Sequence, residues 1–141
     1  MGNNFKVRGF SSATVKDMFS YLDPLYKKKP SYIILMAGTN DAAYKDAKQI
    51  VNDLQQLKQH IESKLPECNV ILSCPTMRCD KHNENAQKTV FDLRKKLINL
   101  NIPLILNENI TEQHISKRGL HLNNHGKGRL ALNFKIYIRK H

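Results

Sequence analysis

The run Tyr32-Ile33-Ile34-Leu35-Met36-Ala37 constrains the fold more than any other stretch of this chain. It is short, unbroken and apolar, which is the pattern of a strand buried on both faces of a parallel sheet. It leads straight into Gly38-Thr39-Asn40-Asp41. A strand does not continue through a glycine followed by an amide and a carboxylate side chain, so the chain must turn there. The turn delivers Asn40 to the carboxyl end of a strand, the edge at which open α/β sheets bind ligands. A side-chain amide held at that edge is a donor of the kind that acyl transfer uses to hold a developing oxyanion.

The rest of the chain supplies helices to cover such a sheet. Residues 5–8 alternate and read as a short strand ending at Gly9. Ser11, Ser12, Ala13 and Thr14 then cap a helix with Val15, Met18, Phe19 and Leu22 on its apolar face. Pro24 and Pro30 bound a basic turn. Residues 47–65 carry Ile50, Leu54, Leu57, Ile61 and Leu65 on one helical face, and Pro66 ends the helix. A strand at 69–74 stops at Pro75. A helix over 83–100 turns Val90, Leu93, Leu97 and Leu100 inward, and a third apolar strand follows at 103–106. The last helix starts near His125 or Gly126, with Leu130, Phe134, Tyr137 and Ile138 as its apolar side. Strands alternating with helices of this length predict an α/β fold, a mostly parallel sheet between two helical layers.

A chain of 141 residues is expected to form one domain, here over 1–141, with a core that needs no metal or disulfide. No apolar run is long enough to span a bilayer. The start, Met1-Gly2-Asn3-Asn4-Phe5-Lys6, has no apolar leader, and Lys6 speaks against myristoylation. An intracellular chain, cytoplasmic or nuclear, is the expectation. Cys68, Cys74 and Cys79 then read as reduced thiols, and Cys74, Cys79 and His82 lack the paired spacing of a structural zinc site. Neither a metal nor a cofactor is expected. The net charge of +11 favours polyanionic partners, RNA, DNA or anionic lipid. The cations are spread over Lys27 to Lys29, Arg94 to Lys96, Lys117-Arg118, Lys127 to Arg129 and Arg139-Lys140, without the interleaved aromatics of single-strand binders.

A second motif, Arg118-Gly119-Leu120-His121-Leu122-Asn123, precedes the last helix. It sets His121 on the rim that carries Asn40. A histidine there suits a general base, because its ordinary pKa lies near neutral pH.

Together the two motifs resemble the SGNH hydrolases, or GDSL-type esterases, whose four blocks contribute a nucleophilic serine, an oxyanion glycine, an oxyanion asparagine and a catalytic histidine. Gly38-Thr39-Asn40-Asp41 is similar to the third block throughout, and Gly119-Leu120-His121 to the end of the fourth. The segment from Phe10 to Met18 resembles the second block. His121-Leu122-Asn123, Gly126 and the stretch from Leu130 to Phe134 resemble the esterase-like domains of LINE-type retrotransposons. The resemblance implies a flavodoxin-like three-layer fold and an acyl-ester substrate. It also implies Asn40 as oxyanion donor, His121 as base, and Gly38, Thr39, Asp41 and Gly119 in support.

Three departures bear on activity. The Gly-Asp-Ser block, which would hold the nucleophile at the end of the family's first strand, does not occur. Ser12 stands where the oxyanion glycine is expected; its backbone N–H can still donate, but its Cβ crowds the site. Arg118 stands where the family has the aspartate that orients the histidine. Ser11, Ser12, Ser31, Ser73, Ser116 and Cys74 lie near strand or loop ends, but none sits on a strained nucleophile turn. The expectation is an SGNH-like domain truncated before its second strand, a degenerate copy without esterase activity. The alternative is a non-catalytic basic module for nucleic acid or anionic lipid.

Overall fold

The computed structural model describes Lys6, Phe10 and residues 13–141. Apart from Lys6, the strand expected over 5–8 lies outside the described residues, as do the candidates Ser11 and Ser12.

Among the described residues three parallel strands form the sheet in the order β1-β2-β3, with β1 at Tyr32–Leu35, β2 at Asn69–Ser73 and β3 at Leu104–Ile105. Ile33 pairs with Val70 and Leu35 with Leu72 across the first ladder, and Ser73 pairs with Ile105 across the second. All three strands are shorter than the apolar runs that contain them. Gly38 and Pro75 turn the first two out of the ladder, and Asn107, at φ +57°, turns the third. Asparagine tolerates that left-handed conformation better than most residues.

Four of the described α-helices begin where side chains satisfy free N–H groups at their first turns. In α1 (Val15–Tyr21) the Thr14 hydroxyl accepts from the Asp17 N–H, and the Asp17 carboxylate accepts from the Thr14 N–H at 2.9 Å. Asp46 caps α3 (Ala47–Lys64) by accepting from the Gln49 N–H at 2.8 Å. Asn83 caps α4 (Glu84–Ile98), and Asn123 caps α5 (Asn124–Lys140). A single-turn helix, α2 (Asp23–Tyr26), leads into the expected basic turn, which the structure places at Lys27 and Lys28. Pro24 sits in its first turn, where a missing N–H is harmless.

The main core lies on one face of the sheet. Val15 of α1 meets Ile50, Leu54, Leu57 and Ile61 of α3, Val90, Leu93 and Leu97 of α4, and Ile33, Leu35, Val70 and Leu72 of the sheet. No residue of α5 belongs to this cluster. Strand side chains alternate between faces, so Ile34, Ile71 and Ile105 point to the opposite side. There α5 packs on β3. Among the described residues no helix is long and apolar enough to cross a membrane.

Candidate functional site

Gly38 leaves β1 with φ +113°, and a Cβ there would stand 3.0 Å from both Ile50 Cγ2 and Leu93 Cδ2. Conformation and packing both require glycine. The chain then passes through Asn40 into a 3-10 turn at Asp41–Ala43. The Asn40 amide donates from Nδ2 to the Ala13 carbonyl at 2.9 Å. An amide nitrogen carries two N–H bonds, and this contact uses one of them. Asp41 is buried, and its carboxylate accepts from the Val15 N–H at 3.1 Å and 3.4 Å. Burial pushes the Asp41 carboxyl above its ordinary pKa, while the Val15 N–H and the Lys45 ammonium oppose the shift. Gly-Thr-Asn-Asp is therefore a clasp: it holds the segment entering α1 against the end of β1.

The chain after β2 forms a second fixed point. Arg78 is buried and makes a two-pronged ion pair with Asp80, Nε to Oδ1 at 3.0 Å and Nη2 to Oδ2 at 2.6 Å. Its Nη1 donates to the Thr39 carbonyl at 2.9 Å. The guanidinium holds the Asp80 carboxyl below its ordinary pKa. The Asp80 carbonyl in turn accepts from the Gln87 amide at 2.6 Å, which ties this loop to α4.

The histidine loop is a short hairpin. Ile115 and Leu122 form an antiparallel bridge, and the Ser116 N–H donates to the His121 carbonyl at 2.7 Å. Gly119, at φ +81°, takes the bend. The Cys79 N–H donates to the Gly119 carbonyl at 2.6 Å, and a Cβ on Gly119 would collide with the Cys79-Asp80 peptide. The Asn40 loop and the His121 loop thus both rest on residues 78–80. The His121 ring and Arg118 are exposed.

Of the alternative nucleophiles among the described residues, Ser73 and Cys74 are the buried ones. Ser73 is buried, and its Oγ accepts from Asn107 Nδ2 at 2.7 Å; the same amide donates to the Cys74 carbonyl at 2.9 Å. Burial pushes the thiols of Cys68, Cys74 and Cys79 up, with Arg94 opposing the shift at Cys74, a direction opposite to the one that activates a thiol. Among the described residues no cluster of three or more His, Cys, Asp or Glu is arranged to hold a metal ion. A groove of about 950 Å³ runs along the outside of α4, lined by Arg78, Cys79, Phe91, Arg94 and Glu112 among others. Neither Asn40 nor His121 lines it.

Two features escaped the sequence reading. Arg78 and Asp80 sit in a loop with no motif; their acid–base spacing was a signal, but a weak one. His114 is buried in a 3-10 turn at Glu112–His114, with Nδ1 accepting from the Thr111 N–H at 2.9 Å and its ring 4.8 Å from that of His125.

The sequence model of the GDSL-like lipase/acylhydrolase family matches residues 2–134. No curated protein matches the chain. Among solved structures, a GDSL-like lipase from Bacteroides thetaiotaomicron is 18% identical with a TM-score of 0.75, over 94% of this chain and 74% of that one. A lipase/acylhydrolase from Enterococcus faecalis is 20% identical with a TM-score of 0.65, over 91% and 70%. A catalytic mutant of an acetylxylan esterase from Geobacillus stearothermophilus is 19% identical with a TM-score of 0.67, over 91% and 68%. These likenesses establish the fold. With a family match over nearly its whole length and the family's third block clasped at a strand end, the chain belongs to the GDSL-like lipase/acylhydrolase family, within the SGNH hydrolases.

Proposed function

We propose that this chain carries the oxyanion and base half of an acyl-ester hydrolase site and hydrolyses no ester by itself. The observation that carries the proposal is the shared anchorage of the Asn40 and His121 loops on residues 78–80, in a chain without a Gly-Asp-Ser block. In a complete site of this type a serine attacks the acyl carbonyl and His121 takes its proton. The free N–H of Asn40 and a backbone N–H, here that of Ser12, stabilise the oxyanion. His121 then returns the proton to the leaving alcohol. Here the serine is absent, Ser73 is buried, and Arg118 cannot stabilise an imidazolium as a carboxylate does. The resemblance of residues 120–134 to retrotransposon esterase-like domains supports descent from a mobile element. The test is release of p-nitrophenol from p-nitrophenyl acetate by the purified chain. No release above buffer is expected; release that disappears in His121→Ala would refute the proposal.

A further inference from the structure

The last helix carries an outward face that its own fold does not use. Lys127, Arg129, Lys135, Arg139 and Lys140 lie on α5, which has no acidic residue. Within it only Gly126 is buried. Leu132 is 48% exposed and Ile136 40%, and at i, i+4 they lie one above the other. At 3.6 residues per turn, Lys135 falls on one side of this pair and Arg129 and Lys140 on the other, with Arg139 continuing the stripe. The side roughly opposite, with Leu130, Phe134, Tyr137 and Ile138, is half-buried, and on the flank Asn133 bonds to Asn107 and Asn109 at 3.0 Å and 2.8 Å.

We propose that this face of α5 docks on an anionic lipid surface. Aliphatic side chains flanked on both sides by cations fit the headgroup boundary, where the aliphatics enter the acyl region and the cationic tips reach the phosphates. The sign of the charge selects the partner, since this face offers four cations, Arg129, Lys135, Arg139 and Lys140, and the helix no anion, within a chain of net charge +11. Nucleic acid would be served by the cations alone, and the exposed Leu132 and Ile136 favour lipid. The docking does not depend on ester hydrolysis, so failure of either proposal leaves the other standing.

The test is co-sedimentation of the whole chain with phosphatidylcholine vesicles, with and without 30% phosphatidylserine (about one-third anionic lipid), at low and high salt. Binding is expected only with phosphatidylserine and should fall steeply with salt. Each cation near such a surface strengthens binding about five-fold, so Lys135→Glu with Arg139→Glu should weaken it by roughly 25-fold or more. Leu132→Ser with Ile136→Ser, both at exposed positions, should weaken it while leaving circular dichroism and melting unchanged. Failure to sediment with phosphatidylserine vesicles overturns the proposal. So does vesicle binding indifferent to the two serine substitutions and matched by single-stranded RNA, which would make the face a general polyanion patch. A dimer in sedimentation velocity that those substitutions dissolve would also overturn it, a second copy then being the occupant.

Discussion

Replacing Arg78 by methionine should both destabilise the protein and loosen the Asn40 loop. Methionine keeps most of the aliphatic volume and removes three hydrogen bonds, two to Asp80 and one to the Thr39 carbonyl. Removing one partner of a buried ion pair costs about 3–5 kcal/mol, because the other charge stays behind unpaired. The Asp80 side chain is 18% exposed and can regain some water, which favours the lower end of that range. The orphaned Thr39 carbonyl adds about 1 kcal/mol. A total of roughly 4 kcal/mol is a large part of a typical domain stability of about 5–15 kcal/mol. Urea unfolding followed by far-ultraviolet circular dichroism measures it, with an unchanged slope marking a change in stability alone. Asp80→Asn added to Arg78→Met should recover part of the loss, since it removes the stranded carboxylate. The pH dependence follows from the direction of the Asp80 shift. Its folded pKa is depressed, so the ion pair stabilises fully above the unfolded value of about 3.9 and is lost as pH falls through the folded value. The difference between wild type and Arg78→Met should therefore narrow below about pH 4. A cost under about 1 kcal/mol, or a difference that stays constant from neutral to acid pH, would refute this account of Arg78.

Further substitutions probe the two rims. Gly119→Ala combines a positive φ with a collision against the Cys79-Asp80 peptide; beyond about 1–3 kcal/mol for the conformation, it should raise hydrogen exchange at the Cys79 amide. Asp41 is the reverse of Asp80: its raised folded pKa means that the stabilisation of its neutral form, complete below the unfolded pKa, is lost as pH rises through the folded value. Asp41→Asn keeps an acceptor for the Val15 N–H without the buried charge. It should hold wild-type stability or better at pH 7, the gain fading in acid, whereas Asp41→Ala should cost about 1–2 kcal/mol in thermal unfolding. Asn107→Ala leaves the Ser73 hydroxyl and the Cys74 carbonyl without their shared donor and puts alanine at φ +57°; about 2–4 kcal/mol in urea unfolding is expected.

Most of the described elements were legible before any coordinate. The expected helix over 47–65 appears at Ala47–Lys64, and that over 83–100 at Glu84–Ile98 with Asn83 as its cap. Apolar periodicity and capping residues act within one or two turns, so the chain itself records them. Strand ends were less legible: the expected 103–106 contracts to Leu104–Ile105, because ladder pairing depends on how far β2 extends beside it. The last helix began a residue or two earlier than expected, since Asn123 could be recognised as its cap only once the turn before it was known. Its expected apolar side proved half-buried rather than core, because burial depends on what the sheet offers opposite it.

The sequence by itself determined the family, the α/β alternation and the turn at Gly38, because a profile, a period and a glycine are all local patterns. Only the tertiary structure decided that the Asn40 amide grips Ala13 and that Asp41 is a buried cap for α1. It alone showed Arg78 bridging to Thr39 and the Gly119 hairpin resting on Cys79. The first three of these contacts join residues 26 to 39 positions apart. Hydrogen bonds over such separations are selected by the packing of whole elements, and no short stretch of sequence carries that information.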